Sequence, residues 1–221
     1  MQQDNFDKIQ VLCTRPISNE LVLYAHEKGI EIDRISFINT EPIENVEVQQ
    51  EIENALILST TVVFTSMNAV EAVAEFLFDE QPDWRIYCIG HTTRTLVEKY
   101  FGEEMIAGTA ENAWSLAQLI IDDENCEELI FFCGDQRRNE LPDLLEQNDI
   151  AVQEVVVYQS IAVPQKISKK YQGILFFSPS AVQSFFSINK IASPVIFFAI
   201  GTTTAATIKK FTDYTIIIAD V

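Results

Sequence analysis

Four turns of this chain place hydroxyl side chains where a helix would begin: Thr65-Ser66-Met67-Asn68, Gly90-His91-Thr92-Thr93, Ser178-Pro179-Ser180 and Gly201-Thr202-Thr203-Thr204. Each follows an apolar run and precedes a segment of helical period. A helix N-terminus carries unpaired N–H groups and partial positive charge, so Ser, Thr or Asn there either caps the helix or helps to hold an anion. Pro179 suits a first helical turn, and Gly90 and Gly201 allow a ligand close to the backbone. Ordinary capping accounts for any one of these turns. Four of them at comparable strand ends point to an anion-binding cleft, with Arg15, Arg137 and Arg138 as nearby cations. Each helix end favours a negative charge by about 0.3–1 kcal/mol. Several acting on several carboxylates reach about 8 kcal/mol, a near-micromolar affinity.

Other chemistries lack their residues. GxGxxG does not occur, and Gly134 in FFCGDQRR is not followed by the GK[ST] of a phosphate loop. His26 and His91 are the only histidines, which excludes a multi-histidine metal site. His26 reads as a surface residue of a helix, and His91 as a cap or plain loop position. No GxSxG or Ser/His/Asp arrangement is present. Cys13, Cys88, Cys126 and Cys133 show no metal-ligand spacing and read as buried, reduced thiols. A catalyst built from this sequence would work by binding and orientation.

The turns need parallel strands behind them. Short apolar runs alternate with segments of helical period, which is the βαβ signature of parallel sheets covered on both faces. The pattern predicts strands at 9–14, 31–38, 61–65, 85–89, 104–107, 129–133, 152–158, 173–177, 195–200 and 214–218. It predicts helices at 18–28, 44–57, 67–79, 92–101, 112–122, 139–148, 179–188 and 202–211. Ten strands make two sheets of five.

The sequence also repeats itself. Residues 62–70 (VVFTSMNAV) return 112 residues later at 174–182 (ILFFSPSAV), and residues 87–93 (YCIGHTT) return 111 later at 198–204 (FAIGTTT). The segment 11–40 aligns without a gap on 131–160, pairing Cys13 with Cys133 and Asn19-Glu20-Leu21 with Asn139-Glu140-Leu141. Each block is weak alone, but three in one order imply two similar α/β domains of about 100 residues each. The domains either follow one another, or one is enclosed by the two halves of the other. In the enclosed case residues 36–42 and 156–164 form a two-stranded hinge.

The composition is that of an ordered protein, residues 1–7 apart, with 48% hydrophobic residues and no low-complexity tract. A formal charge of −18 without a Lys/Arg cluster argues against nucleic acid or an anionic membrane as partner. Screening over about 8 Å at physiological salt leaves short-range neutral donors free to hold an anion despite that charge. No apolar run approaches the length of a membrane span, and the start MQQDNFDK is too polar for a signal peptide. A cytoplasmic monomer is expected.

Taken in order, VVFTSMNAV, IGHTT, FFCGDQRRNELPDLL, VVVYQS, ILFFSPSAVQSFF and AIGTTTAATI resemble the scattered motifs of the uroporphyrinogen-III synthase family over nearly the whole chain. The resemblance implies the enclosed arrangement: two flavodoxin-like domains with parallel five-stranded sheets, at 1–38 plus 166–221 and at 43–156, joined by two linkers at 39–42 and 157–165. It implies a cofactor-free lyase that closes the linear tetrapyrrole hydroxymethylbilane, which carries eight carboxylates, with loss of water and inversion of the last ring. The unaided reaction closes without inversion, so the enzyme must select a geometry, an orientation effect that needs no strong acid or base. Carried over by position, substrate contacts fall on Thr65, Ser66, Asn68, Ala69, Thr92, Thr93, Cys133, Gly134, Ser178, Ser180, Ala181, Thr202, Thr203 and Thr204, many through main-chain N–H. Tyr158 matches the family tyrosine; a phenol is protonated at neutral pH and would donate to the departing hydroxyl, or else would only pack at the hinge. The chain departs from the pattern at Ser160, where Thr is usual, and at Val221, where the family usually adds a helix that would cover the last strand.

Two rival readings use the same features. A cytoplasmic two-domain binding protein would close on a small polyanion without chemistry. A regulatory flavodoxin-like module would instead want acidic residues at its strand ends, where hydroxyl groups stand here.

Overall fold

The computed structural model describes residues 8–77, 81–123 and 125–219. In chain order the elements are β1 (Ile9–Cys13), α1 (Asn19–Glu27), β2 (Ile30–Arg34), β3 (Ile38–Pro42), α2 (Val46–Leu56), β4 (Thr60–Phe64), α3 (Met67–Ala74), β5 (Trp84–Ile89), α4 (His91–Phe101) and β6 (Ile106–Ala110). There follow α5 (Ala113–Ile121), β7 (Glu128–Gly134), α6 (Glu140–Glu146), β8 (Ala151–Ala162), β9 (Gly173–Phe176), α7 (Pro179–Ile188), β10 (Ile196–Ala199), α8 (Thr202–Ile208) and β11 (Ile216–Ile218). The chain divides into one unit of Met1–Asn39 with Ile161–Val221 and another of Thr40–Ser160. It passes from the first to the second within β3 and returns within β8.

In the contiguous unit the sheet order is β3-β8-β7-β4-β5-β6, and the five strands from β8 to β6 pair in parallel. Burial on both faces explains why these strands read as unbroken apolar runs. Side chains alternate between two cores: Val62, Phe64, Ile86, Cys88, Ile130 and Phe132 enter one, packed under α2, α3 and α4. Val63, Tyr87, Phe131 and Cys133 enter the other, under α5 and α6. In α5 the buried residues Leu116, Ala117 and Ile120 share one helical face, which is the stripe turned to the sheet.

The discontinuous unit has the order β11-β10-β9-β1-β2, all parallel. Its core joins Leu12, Ile174, Phe176, Phe197 and Ala199 to α7 and α8 through Phe185 and Ile208. Numbered along the chain this sheet reads 2-1-3-4-5, the flavodoxin order. The contiguous unit without β3 reads 3-2-1-4-5, which is the same sheet with the starting strand moved. The repeated blocks lie at equivalent places: 62–70 and 174–182 span the ends of β4 and β9, 87–93 and 198–204 those of β5 and β10, and 11–40 and 131–160 carry most of β1–β2 and β7–β8.

Three expectations change. The run 31–38 is not one strand, because the chain turns at Ser36, whose Oγ donates to Ile38 O at 2.6 Å. The turn buries Phe37 completely, edge-on to Phe185 at 5.2 Å. The next residues form β3, so the second sheet has six strands and not five. Ile43 N donates to Val157 O, and Val163 N to Phe37 O, both at 2.9 Å. Residue numbers therefore rise on one strand as they fall on the other, and β3 runs antiparallel to β8. Helix α3 stops at Ala74, closed by Phe76 N to Val73 O and Leu77 N to Ala74 O, bonds of the tight 3₁₀ kind. The remainder of the predicted helix at 78–79 lies outside the described residues, as do residues 1–7 and Val221. In β11, Ile217 and Ile218 are 44% and 43% exposed.

Candidate active site

In an open parallel sheet, ligands bind beyond the carboxyl ends of the strands, at the point where the strand order reverses. In the contiguous unit that point lies between β4 and β7, and the chain leaves those strands through Thr65-Ser66 and Gly134-Asp135. In the other unit it lies between β1 and β9, left through Thr14-Arg15 and Phe177-Ser178.

The four helix starts differ in how they are capped. Ser66 Oγ accepts from Asn68 N and Ser178 Oγ from Ala181 N, each at 3.2 Å, so both hydroxyls are engaged by their own helices. Ser180 Oγ lies 3.0 Å from Ser178 Oγ. Helices α4 and α8 begin after Gly90 and Gly201 without any side-chain cap, leaving their first N–H groups uncovered. Gly90 is required for its backbone, with φ 76°. Gly201 is extended at φ −168° with open space at its Cα, so only the lack of bulk distinguishes it.

Two cavities of the contiguous unit meet at Tyr158. The smaller, about 360 Å³, brings together Thr65, Ser66, Gly134, Arg137, Arg138 and Tyr158, with Ile89, Phe131, Leu141, Glu111, Asn112, Ala113 and Glu140 completing the wall. The larger, about 470 Å³, holds Asn68 and Tyr158 but also Glu41, Glu71 and Glu75, which makes it a poor host for carboxylates. Ala69, Thr93 and Cys133 are buried and their side chains line neither cavity; Thr92 is exposed. Burial pushes the Cys133 thiol up to about 11, and its Sγ faces Val155 O at 3.8 Å, so it is no nucleophile.

Arg137 pairs with Glu154 and donates to Asn139 Oδ1 at 2.8 Å. Arg138 is exposed and makes no ion pair among the described residues. In the discontinuous unit the Arg15 guanidinium stacks over the Phe177 ring, 4.2 Å from its centre, beside the Ser178 turn. Thr202 and Thr203 are exposed there, while Ala181 and Thr204 are buried. A third cavity, about 170 Å³ and lined by Lys169, Lys170 and Lys190, sits at the opposite, amino ends of β9 and β10.

All four cysteines are buried and unpaired. His26 is exposed with its Nε2 2.6 Å from Lys8 Nζ, and exposed His91 opens α4. No group of metal-ligating side chains occurs among the described residues, and no described helix is long and apolar enough to cross a membrane. Sequence reading did not single out Asn112, although an Asn before an apolar helical run is a cap signal; its Oδ1 accepts from Ser115 N at 2.9 Å. It also missed Asp135 and Glu154, whose partners depend on strand register.

The sequence model described as uroporphyrinogen-III synthase HemD matches residues 19–221. A mutant of the uroporphyrinogen III synthase of the extremely thermophilic bacterium Thermus thermophilus superposes with a TM-score of 0.61 at 14% identity, over 96% of this chain and 92% of that one. Uroporphyrinogen-III synthetase from Helicobacter pylori gives a TM-score of 0.61 at 16% identity, over 94% and 92%. At such identities the superpositions establish the α/β fold with its parallel sheets. The match along 19–221 does more: this chain belongs to the uroporphyrinogen-III synthase family.

Proposed function

We propose that this chain is a cofactor-free hydro-lyase that converts hydroxymethylbilane to uroporphyrinogen III, with loss of water and inversion of the terminal ring. In a chain of this family, the observation that carries the reading is the 360 Å³ cavity at the carboxyl edge of the contiguous sheet. There a helix start, the guanidinium of Arg138 and the phenol of Tyr158 converge. Arg138 and the turn at Thr65-Ser66 take carboxylates of the substrate. Tyr158 donates its O–H to the departing hydroxyl, so that the carbon–oxygen bond breaks toward water rather than free hydroxide. Asn68, Ala69, Thr92, Thr93, Cys133 and Gly134 supply further contacts, mostly as neutral N–H donors.

The reading takes residues 1–38 with 166–221, and 43–156, as two flavodoxin-like lobes of a cytoplasmic monomer, with linkers at 39–42 and 157–165. The observed divisions at Asn39/Thr40 and Ser160/Ile161 fall inside those linkers and support it. The test is incubation of the purified protein with enzymatically generated hydroxymethylbilane, followed by oxidation and separation of the porphyrin isomers. An excess of isomer III is expected. Isomer I alone, at the rate of the protein-free control, would overturn the assignment and leave a binding protein.

A further inference from the structure

We infer that Asp135 is a positioning residue for Tyr158, fixing the phenol over Gly134 at the mouth of the 360 Å³ cavity; this rests on the role given to Tyr158 above. Along β7 and β8 the register runs Cys133↔Val156 and then Gly134↔Tyr158, so Val157 is one residue too many and the strand bulges. Strict alternation would send Val157 and Tyr158 to opposite faces of the sheet. Instead Val155, Val157 and Tyr158 pack against the same core, while Val156 alone turns to the other. The bulge has re-aimed the tyrosine, as an extra residue in a strand commonly does.

A bulge interrupts the ladder and leaves backbone groups to be paired elsewhere. Val157 O accepts from Ile43 N at 2.9 Å. Asp135 pairs two groups beyond it: its backbone N–H donates to Tyr158 O at 3.1 Å, and its Oδ1 accepts from Ser160 N at 2.9 Å. One residue therefore holds the strand on both sides of Gln159 and fixes the direction in which the ring leaves the backbone. Gly134 leaves the room for that ring: a Cβ there would come within 2.7 Å of the phenol oxygen and nearer still to ring carbons. Asp135 lines neither cavity at Tyr158, so it acts on the reaction through the tyrosine and not by touching substrate.

Steady-state kinetics with hydroxymethylbilane test this on the full chain. Asp135→Ala is expected to lower kcat by roughly tenfold to a hundredfold, the order of effect of a misplaced group, with KM within about twofold of wild type. Asp135→Asn keeps an oxygen for Ser160 N and should recover most of the loss. Asp135→Glu, which keeps the charge but displaces the oxygen, should not, and it serves if the alanine variant fails a thermal-melt check of folding. In a Tyr158→Phe background, Asp135→Ala should cost nothing further, because residues acting through one group are not additive. An equal fold-loss in that background would overturn the inference. So would wild-type kcat in Asp135→Ala beside an impaired Tyr158→Phe. Wild-type kcat in Tyr158→Phe itself would remove the role of the tyrosine and this inference with it.

Discussion

Arg137 and Arg138 are adjacent in sequence and separate in role. The first is engaged by Glu154 and Asn139, whereas the second lines the cavity without an ion pair among the described residues. Arg138→Ala is therefore expected to raise KM about tenfold with little change in kcat, as removal of a charge-assisted contact made equally in ground and transition states would; unchanged KM in a titration against hydroxymethylbilane would exclude it from binding. Asp123 makes a different kind of prediction. The Tyr87 hydroxyl donates to it at 2.7 Å and Arg85 pairs with it at 2.5 Å, and these bonds, the tyrosine's first, hold its carboxyl down to about 2. Burial and the same bond push the Tyr87 phenol up to about 12. A carboxyl held below its unfolded value of about 3.9 contributes stability above that value and loses it as pH falls from about 4 to about 2. Asp123→Asn should lower stability at neutral pH and flatten the decline across that window, measured by denaturant unfolding at successive pH values. The turn residues of the site were legible because Ser, Thr and Gly closed apolar runs. Asp135, Glu154 and Asp123 were not, because nothing in a sequence without coordinates says which strand residue stands opposite which.

Among the elements, the two glycine-started helices offer a contrast within the repeat. Gly90→Ala places a side chain at φ 76° and ψ 166°, a region close to glycine-only, and should cost about 1–3 kcal/mol of stability. Gly201→Ala sits on extended backbone with nothing within 4 Å and should stay within about 0.5 kcal/mol. Equal effects in thermal unfolding would show that the two turns are not distinguished by backbone. Loss of the Ser178 cap in Ser178→Ala should cost about 1 kcal/mol, read from chemical denaturation. Most elements were legible, because strands buried on two faces read as apolar runs and the helices carry a periodic stripe. The exception is instructive. The apolar residues of 31–38 suit a single strand, yet Phe37 contributes more by entering the core against Phe185 than by continuing β2, and that choice depends on a partner about 150 residues away.

On the scale of the whole chain, two sheets share one order of strands and differ in where the polypeptide begins to trace it. The contiguous unit owns both of the cores that flank its sheet, so a fragment of residues 40–160 should fold alone and melt cooperatively by circular dichroism. A non-cooperative, molten fragment would contradict this. The discontinuous unit has no such independence: β1 finds its neighbour β9 only through the register Val11↔Gly173. On the ribosome, β1 and β2 emerge before the insert and must wait for more than a hundred further residues to be translated before β9 can join them. Meanwhile the intervening segment can mature as a finished insert. The nascent chain thus carries an incomplete pair of strands for as long as the insert between them and β9 is being made, an interval of exposed apolar surface and unpaired strand edges.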